Sequence, residues 1–96
     1  MNSTIILNTI KKYRNNFIEY GISKIGLFGS YINDSNNEES DIDILIKFEE
    51  GKKNFDNYIS IKFLLEDIFN KKVDLVDEDC IREELKYSIL GSVMYV

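Results

Sequence analysis

Two aspartates alternate with isoleucines between positions 40 and 46, where the chain reads Ser-Asp-Ile-Asp-Ile-Leu-Ile. Successive side chains of a β-strand point to opposite faces, so a strand here places Asp41 and Asp43 on one face and the isoleucines on the other. Two carboxylates held this close repel each other unless a cation lies between them or water reaches them freely. The pattern therefore predicts a half-buried strand with a cation site on its polar face.

An upstream apolar run ends in a Gly-Ser pair. Ile25, Leu27 and Phe28 lead into Gly29 and Ser30, and a polar loop then separates this pair from the aspartates. A glycine lets backbone N–H groups approach an anion closely, and a serine hydroxyl can donate to a phosphate oxygen. Magnesium is usually held by carboxylates together with substrate phosphates. Together the two runs indicate a bound nucleoside triphosphate. By itself, the aspartate pair is also compatible with a strand whose polar face meets solvent.

The segment Gly-Leu-Phe-Gly-Ser-Tyr and the aspartate strand, with nine residues between Ser30 and Ser40, resemble the signature of the DNA polymerase beta-like nucleotidyltransferase superfamily. Within it, the chain is similar to the minimal nucleotidyltransferase (MNT) domain proteins, the antitoxins of HEPN/MNT toxin–antitoxin pairs. The resemblance covers nearly the whole chain. It implies an α/β (α+β) fold, with a small mixed sheet of three or four strands and helices largely on one side.

The resemblance also implies an activity, which is magnesium-dependent transfer of AMP from ATP. Asp41, Asp43 and Asp74 would be the catalytic and metal-binding carboxylates, holding two Mg²⁺ ions, and Asp74 would help to deprotonate the acceptor hydroxyl. The nucleotide would be bound by the turn and the start of the aspartate strand, namely Gly29, Ser30 and Ser40. The acceptor would be a hydroxyl, that of a tyrosine, on a partner HEPN ribonuclease toxin, which the transfer would neutralise within a hetero-oligomer.

Two features leave alternatives open. Asp74 lies in a short apolar run, where an aspartate is unfavourable, and it could instead face solvent from an edge strand or pair with Lys72. Asn33 and Asp34 stand where relatives commonly carry a basic residue followed by glycine, so a phosphate-contacting cation is missing. The alternatives are an antitoxin that neutralises its toxin by binding alone, and a nucleotidyltransferase that modifies a small hydroxylated molecule.

Composition removes several other classes. The chain has no histidine, which excludes histidine-type zinc sites, Ser-His-Asp triads and histidine general bases. Its formal net charge is −5 and it has no basic stripe, so binding of long nucleic acid is not expected. Cys80 is the single cysteine, and we expect it to be a small core residue. Without an apolar stretch of membrane-spanning length or a signal sequence, a cytoplasmic protein of one domain, residues 1–96, is expected.

Apolar spacing predicts helices over residues 3–20 and 54–70, and strands over 22–28, 41–48 and 72–76. Asp79 is expected to cap a last helix, and the apolar tail, residues 92–96, to pack on the domain or on a partner. The predicted core residues are Ile10, Phe17, Ile25, Leu27, Ile44, Ile46, Ile61, Leu65, Ile68, Val73, Leu75 and Leu85.

Overall fold

The computed structural model describes residues 1–32, 37 and 39–96. The helices and strands follow in the order α1 (Ser3–Lys12), α2 (Arg14–Glu19), β1 (Ile22–Phe28), β2 (Ile42–Phe48), α3 (Phe55–Phe69), β3 (Val73–Asp77), α4 (Glu83–Leu90) and β4 (Met94–Tyr95). Two short 3₁₀ turns, Gly29–Tyr31 and Glu78–Cys80, follow β1 and β3. Within those residues, no helix is both long enough and apolar enough to cross a bilayer.

The strands form one mixed sheet in the order β3-β2-β1-β4. β2 runs antiparallel to β1 and parallel to β3, because α3 carries the chain back along the sheet between β2 and β3. Ile44 of β2 lies between Leu27 of β1 and Leu75 of β3. β4 pairs antiparallel with the other side of β1. The mixed α/β fold predicted from the sequence is confirmed, with four strands.

One face of the sheet forms the core with the first three helices. Ile42, Ile44 and Ile46 of β2 are completely buried, as the alternating pattern predicts. The same apolar cluster takes in side chains of α1, α2 and α3, namely Ile6, Ile10, Phe17, Ile61, Leu65 and Phe69. Residues of opposite parity, including Asp43 and Lys47, point to the other face. The buried isoleucines of β2 therefore fix the position of the strand, and with it the position of Asp43 on the opposite face.

The first predicted helix is interrupted at Tyr13, which leaves helical geometry with φ −98° and ψ 13°. Its N–H is shared between the carbonyls of Thr9 and Ile10. Asn15 and Asn16, in the first turn of α2, have low helix propensity, so little local preference favours one continuous helix across Tyr13. Two shorter helices therefore replace the single one expected.

The predicted cap of the last helix is wrong. Asp79 lies in the second 3₁₀ turn, where its N–H donates to Asp77 Oδ1 at 2.9 Å and its carboxylate lies 3.4 Å from Lys47 Nζ. Since Asp79 is engaged there, α4 begins only at Glu83. Leu85, predicted to be buried on this helix, is 48% exposed.

Two smaller corrections concern Ile68 and Cys80. Ile68 is only partly buried and packs at the margin of the core. Cys80 is exposed because the 3₁₀ turn carries it out of the sheet, and its Sγ lies 3.4 Å from Lys53 Nζ. The other predicted core residues are buried, because the helical and strand periods of the sequence are those of the actual elements.

Candidate active site

Asp43 lies at the point where three strands meet. Across the antiparallel pair its partner is Phe28, the last residue of β1, and across the parallel pair its partner is Asp74, the second residue of β3. Matching registers place these side chains on the same face of the sheet, opposite the helices that form the core. The topology thus brings the turn after β1 and two carboxylates to one end of the sheet.

The turn after β1 is built closely around Asp43. Gly29 has φ +77°, a left-handed conformation that favours glycine, and a Cβ at this position would overlap Oδ2 of Asp43. The backbone N–H of Ser30 donates a hydrogen bond to the same carboxylate. Gly29 is therefore required both by the backbone conformation and by the space that the aspartate occupies.

The charges around Asp43 have the same sign as its own. Burial raises the pKa of Asp43, the neighbouring Asp74 raises it further, and Asp41 adds a weaker effect in the same direction. The hydrogen bond from Ser30 N–H favours the ionised form and opposes them, but the pKa remains above its ordinary value. A cation beside Asp43 would offset both the cost of burying its charge and the repulsion from the neighbouring aspartates.

Asp74 is the register partner of Asp43 on the neighbouring strand, and its charge raises the pKa of Asp43 more than the charge of Asp41 does. Asp74 is exposed on the edge strand, and Asp41 lies half-buried just before β2. In the part of the chain that the structure describes, no group of three acidic or cysteine side chains converges tightly enough to enclose a metal. The roles of the three carboxylates as metal ligands stay a prediction.

The remaining predicted site residue is Ser40, which lies just before β2. Its Oγ accepts from the backbone N–H of Asn37 at 2.9 Å, and its own N–H donates to the carbonyl of Asn37 at 3.1 Å. The hydroxyl thus closes a local turn, and its contact with a nucleotide stays a prediction. Asn33 and Asp34, the departure from the family pattern, lie outside the described residues.

Sequence reasoning missed two residues that bond to the strand bearing Asp74. Tyr58 Oη donates to the carbonyl of Leu75 at 2.6 Å, and Glu66 Oε2 accepts from the N–H of Val73 at 3.0 Å. The spacing of Tyr58 predicts only a place on the apolar side of α3. A sharper signal was available, because a partly buried tyrosine hydroxyl needs a hydrogen-bond partner. No comparable pattern in the sequence indicates the role of Glu66.

Comparison with known proteins gives a family match along nearly the whole chain. Residues 8–95 match the family described as polymerase beta, nucleotidyltransferase. The protein adenylyltransferase MntA of Thermococcus cleftensis is 35% identical over 77 residues, which cover 80% of this chain and 77% of that protein.

Solved structures show the same fold. A structure provisionally identified as a minimal nucleotidyltransferase superposes with a TM-score of 0.84 at 24% identity, covering 98% of this chain and 95% of that one. A toxin–antitoxin complex with AMP-PNP gives 0.74 at 25% identity, covering 92% and 69%. The MNT antitoxin in complex with a tri-AMPylated HEPN toxin of Shewanella oneidensis gives 0.68 at 22% identity, covering 97% and 70%.

Proposed function

This chain belongs to the polymerase beta nucleotidyltransferase family, and we propose that it is an antitoxin that transfers AMP from ATP to a tyrosine hydroxyl of a HEPN toxin. The observation that carries the proposal is the pair formed by Asp43 and Asp74, with the Gly29 turn closed around Asp43. A pair of like charges at the end of an apolar strand is unfavourable for the fold alone. Paired carboxylates beside a phosphate-binding turn support metal-assisted nucleotidyl transfer.

The turn after β1 would orient the leaving group. The Gly29 turn would bring the backbone close to the β- and γ-phosphates of ATP, and the Ser30 hydroxyl would donate to a phosphate oxygen. Ser40, at the start of β2, would add a contact to the nucleotide. Pyrophosphate would then be held away from the acceptor, as in-line attack on the α-phosphorus requires.

Asp74 would take the proton of the acceptor. It lies on the exposed edge strand, where a hydroxyl from another protein can approach it. The hydroxyl oxygen forms the new bond to the α-phosphorus as pyrophosphate leaves, and its proton passes to the carboxylate of Asp74. Asp43, covered by the Gly29 turn, would be shielded from the acceptor.

The carboxylates fit magnesium in their chemistry. Carboxylate oxygens are the ligands that Mg²⁺ takes in proteins, and the absence of a Cβ at Gly29 leaves room for the carboxylate of Asp43. Asp41, Asp43 and Asp74 would hold the ions. When bound, Mg²⁺ would neutralise charge that develops on the α-phosphate during AMP transfer.

The support for donor and target comes from relatives. The Thermococcus cleftensis protein is named a protein adenylyltransferase, and the toxin–antitoxin neighbour was solved with AMP-PNP, an ATP analogue. The Shewanella oneidensis HEPN toxin in complex with its antitoxin carries three AMP groups. A cytoplasmic hetero-oligomer with a HEPN toxin would place ATP, acceptor and the site of this chain together.

Intact-mass analysis tests the proposal. The chain would be incubated with its HEPN partner, ATP and Mg²⁺, in parallel with an Asp41→Ala, Asp43→Ala double variant and with Asp67→Asn, an exposed substitution on α3. We expect the partner to gain one or more AMP masses with the wild type and with Asp67→Asn, and none with the double variant. Peptide mapping would place the AMP on tyrosine.

Two results would contradict it. If the toxin gains no mass but the wild type and the double variant block it equally, neutralisation occurs by binding alone. If AMP appears on a small hydroxylated molecule in the absence of any partner, the acceptor is not a protein.

A further inference from the structure

Two side chains of α3 reach the free edge of β3 on either side of Asp74. The Tyr58 hydroxyl bonds to the carbonyl oxygen of Leu75, which follows Asp74, and the Glu66 carboxylate bonds to the N–H of Val73, which precedes it. An edge strand normally leaves such groups open to water or to another chain. Here they are bound on both sides of one functional residue.

The pairing of β2 with β3 explains why the backbone groups of Val73 and Leu75 are available to α3. Ile42 N–H donates to the carbonyl of Lys72 at 3.1 Å, so Lys72 directs its backbone groups towards β2. Backbone groups alternate in direction along a strand, so those of Asp74 also face β2, whereas those of Val73 and Leu75 face away. The side chains of α3 therefore bond to the backbone of the two neighbours of Asp74 and do not bond to its carboxylate.

Asp74 needs such support because of where it lies. It is the register partner of Asp43, and the two carboxylates repel each other. β3 has only β2 as a ladder partner, so this repulsion acts on the more weakly held of the two strands. Bonds from helix α3 can oppose this repulsion, because the helix is anchored in the core by three buried side chains, namely Ile61, Leu65 and Phe69.

We propose that Tyr58 and Glu66 are positioning residues that hold Asp74 beside Asp43 during AMP transfer. This inference rests on the proposed function. Displacement of a catalytic group by about 1 Å can cost on the order of 100-fold in rate. Loss of either bond from α3 should therefore lower kcat, although neither side chain is assigned a contact with substrate.

The two kinetic constants should respond differently. The contacts assigned to the triphosphate come from Gly29 and Ser30 after β1, which is separated from β3 by β2. Removing a bond to β3 leaves that turn unchanged. KM for ATP should consequently stay near its wild-type value while kcat falls. Because a loss of folded protein would also lower the apparent kcat at unchanged KM, kcat would be calculated from the concentration of folded protein.

Four variants test the proposal. Tyr58→Phe removes only the hydroxyl, and Glu66→Met removes the acceptor for Val73 N–H at similar side-chain length. Glu66→Gln keeps a carbonyl oxygen that can accept the same bond, and Asp67→Met is the matched control on the exposed side of α3. Each would be assayed for kcat and KM with ATP and the HEPN partner, and for hydrogen–deuterium exchange of the free protein.

We expect kcat to fall by about 10- to 100-fold in Tyr58→Phe and Glu66→Met, with KM for ATP within about twofold of wild type. Exchange should rise in the peptide that covers residues 72–77, and Glu66→Gln and Asp67→Met should resemble wild type in both measurements. A kcat within twofold of wild type in both damaging variants would overturn the positioning role, as would faster exchange spread over the whole chain.

The outcome for the proposed function is separate. A wild-type protein that transfers no AMP to its partner would overturn that function whatever the variants do. Exchange in residues 72–77 would then decide alone whether Tyr58 and Glu66 hold the strand, because it is measured without ATP or partner.

Discussion

Acidic side chains gather at both ends of the parallel strands β2 and β3, and the two groups differ in what surrounds them. At the far end, Asp77 lies 2.9 Å from Lys53, while Glu78 and Asp79 lie 3.5 and 3.4 Å from Lys47. At the near end, the charges that act on Asp43 are the like charges of the neighbouring aspartates. Lysines therefore balance the charge of the far group, which is Asp77, Glu78 and Asp79. In the near group, which is Asp41, Asp43 and Asp74, the charges that act on Asp43 repel it.

The difference is consistent with a structural role for the far group and with the catalytic role that we propose for the near group. Paired acids at the far end fix the turn between β3 and α4, as the N–H of Asp79 bonded to the Asp77 carboxylate shows. The like charges beside Asp43 weaken the fold and strengthen the site for a cation. Folded proteins accept such costs mainly where chemistry requires them.

The largest expected effect is a lower rate of AMP transfer when the charge of Asp43 in the near group is removed. Asp43→Asn should reduce the rate of AMP transfer on the order of 1,000-fold, because the amide keeps the shape and can still accept from Ser30 N–H but loses the charge. The rate would be measured by intact mass under single-turnover conditions. Asp79→Asn, at the far end, is the matched control and should transfer AMP normally; equal loss in both variants would remove the distinction between the two groups.

The next effect is on stability when the far group is broken. Asp77 is 6% exposed, and Asp77→Ala leaves the N–H of Asp79 without its acceptor. The free energy of unfolding should fall by about 1–2 kcal/mol, measured by urea denaturation. AMP transfer at a temperature well below Tm should be retained. A variant as stable as wild type would show that the bond from Asp79 N–H and the pair with Lys53 contribute little to the fold.

The sequence predicts these two groups unequally well. Alternation in residues 40–46 places Asp43 and the buried isoleucines correctly, because a strand with one apolar face has little freedom of register. The proximity of Asp43 to Asp74 depends on the pairing of β2 with β3, which only the fold determines. The predicted role of Asp79 as a helix cap was wrong because Asp79 pairs with Lys47, which is 32 positions away in the sequence. Local sequence preferences cannot predict such a pair.

A smaller effect is expected in the pH dependence of stability. The pKa of Asp43 is raised in the folded state, so the folded protein holds this proton more tightly than the unfolded chain does. Its favourable contribution is present below the pKa of the unfolded chain, about 4, and is lost as pH rises through the folded pKa. Asp43→Asn should therefore have a higher Tm than wild type at pH 7. This difference should shrink towards pH 4.

Thermal unfolding from pH 3.5 to 8 in the presence of EDTA measures this difference without bound metal. Asp79→Asn is again the control, since the carboxylate of Asp79 pairs with Lys47 and its removal should not raise Tm. An Asp43→Asn variant with a Tm at or below that of wild type at pH 7 would show that repulsion at the near end carries no measurable cost.

The smallest expected effect concerns a tyrosine tied to the far group. Tyr95 Oη donates to Glu78 Oε1 at 2.8 Å, and burial together with this bond raises the pKa of Tyr95 to about 12. Glu78→Gln keeps an acceptor but removes the negative charge, so the pKa of Tyr95 should move back towards its ordinary value near 10. Difference titration of the phenolate absorbance, with Tyr95→Phe to assign the signal, measures the shift. An unchanged pKa would mean that burial alone raises it and that the charge of Glu78 has no effect on Tyr95.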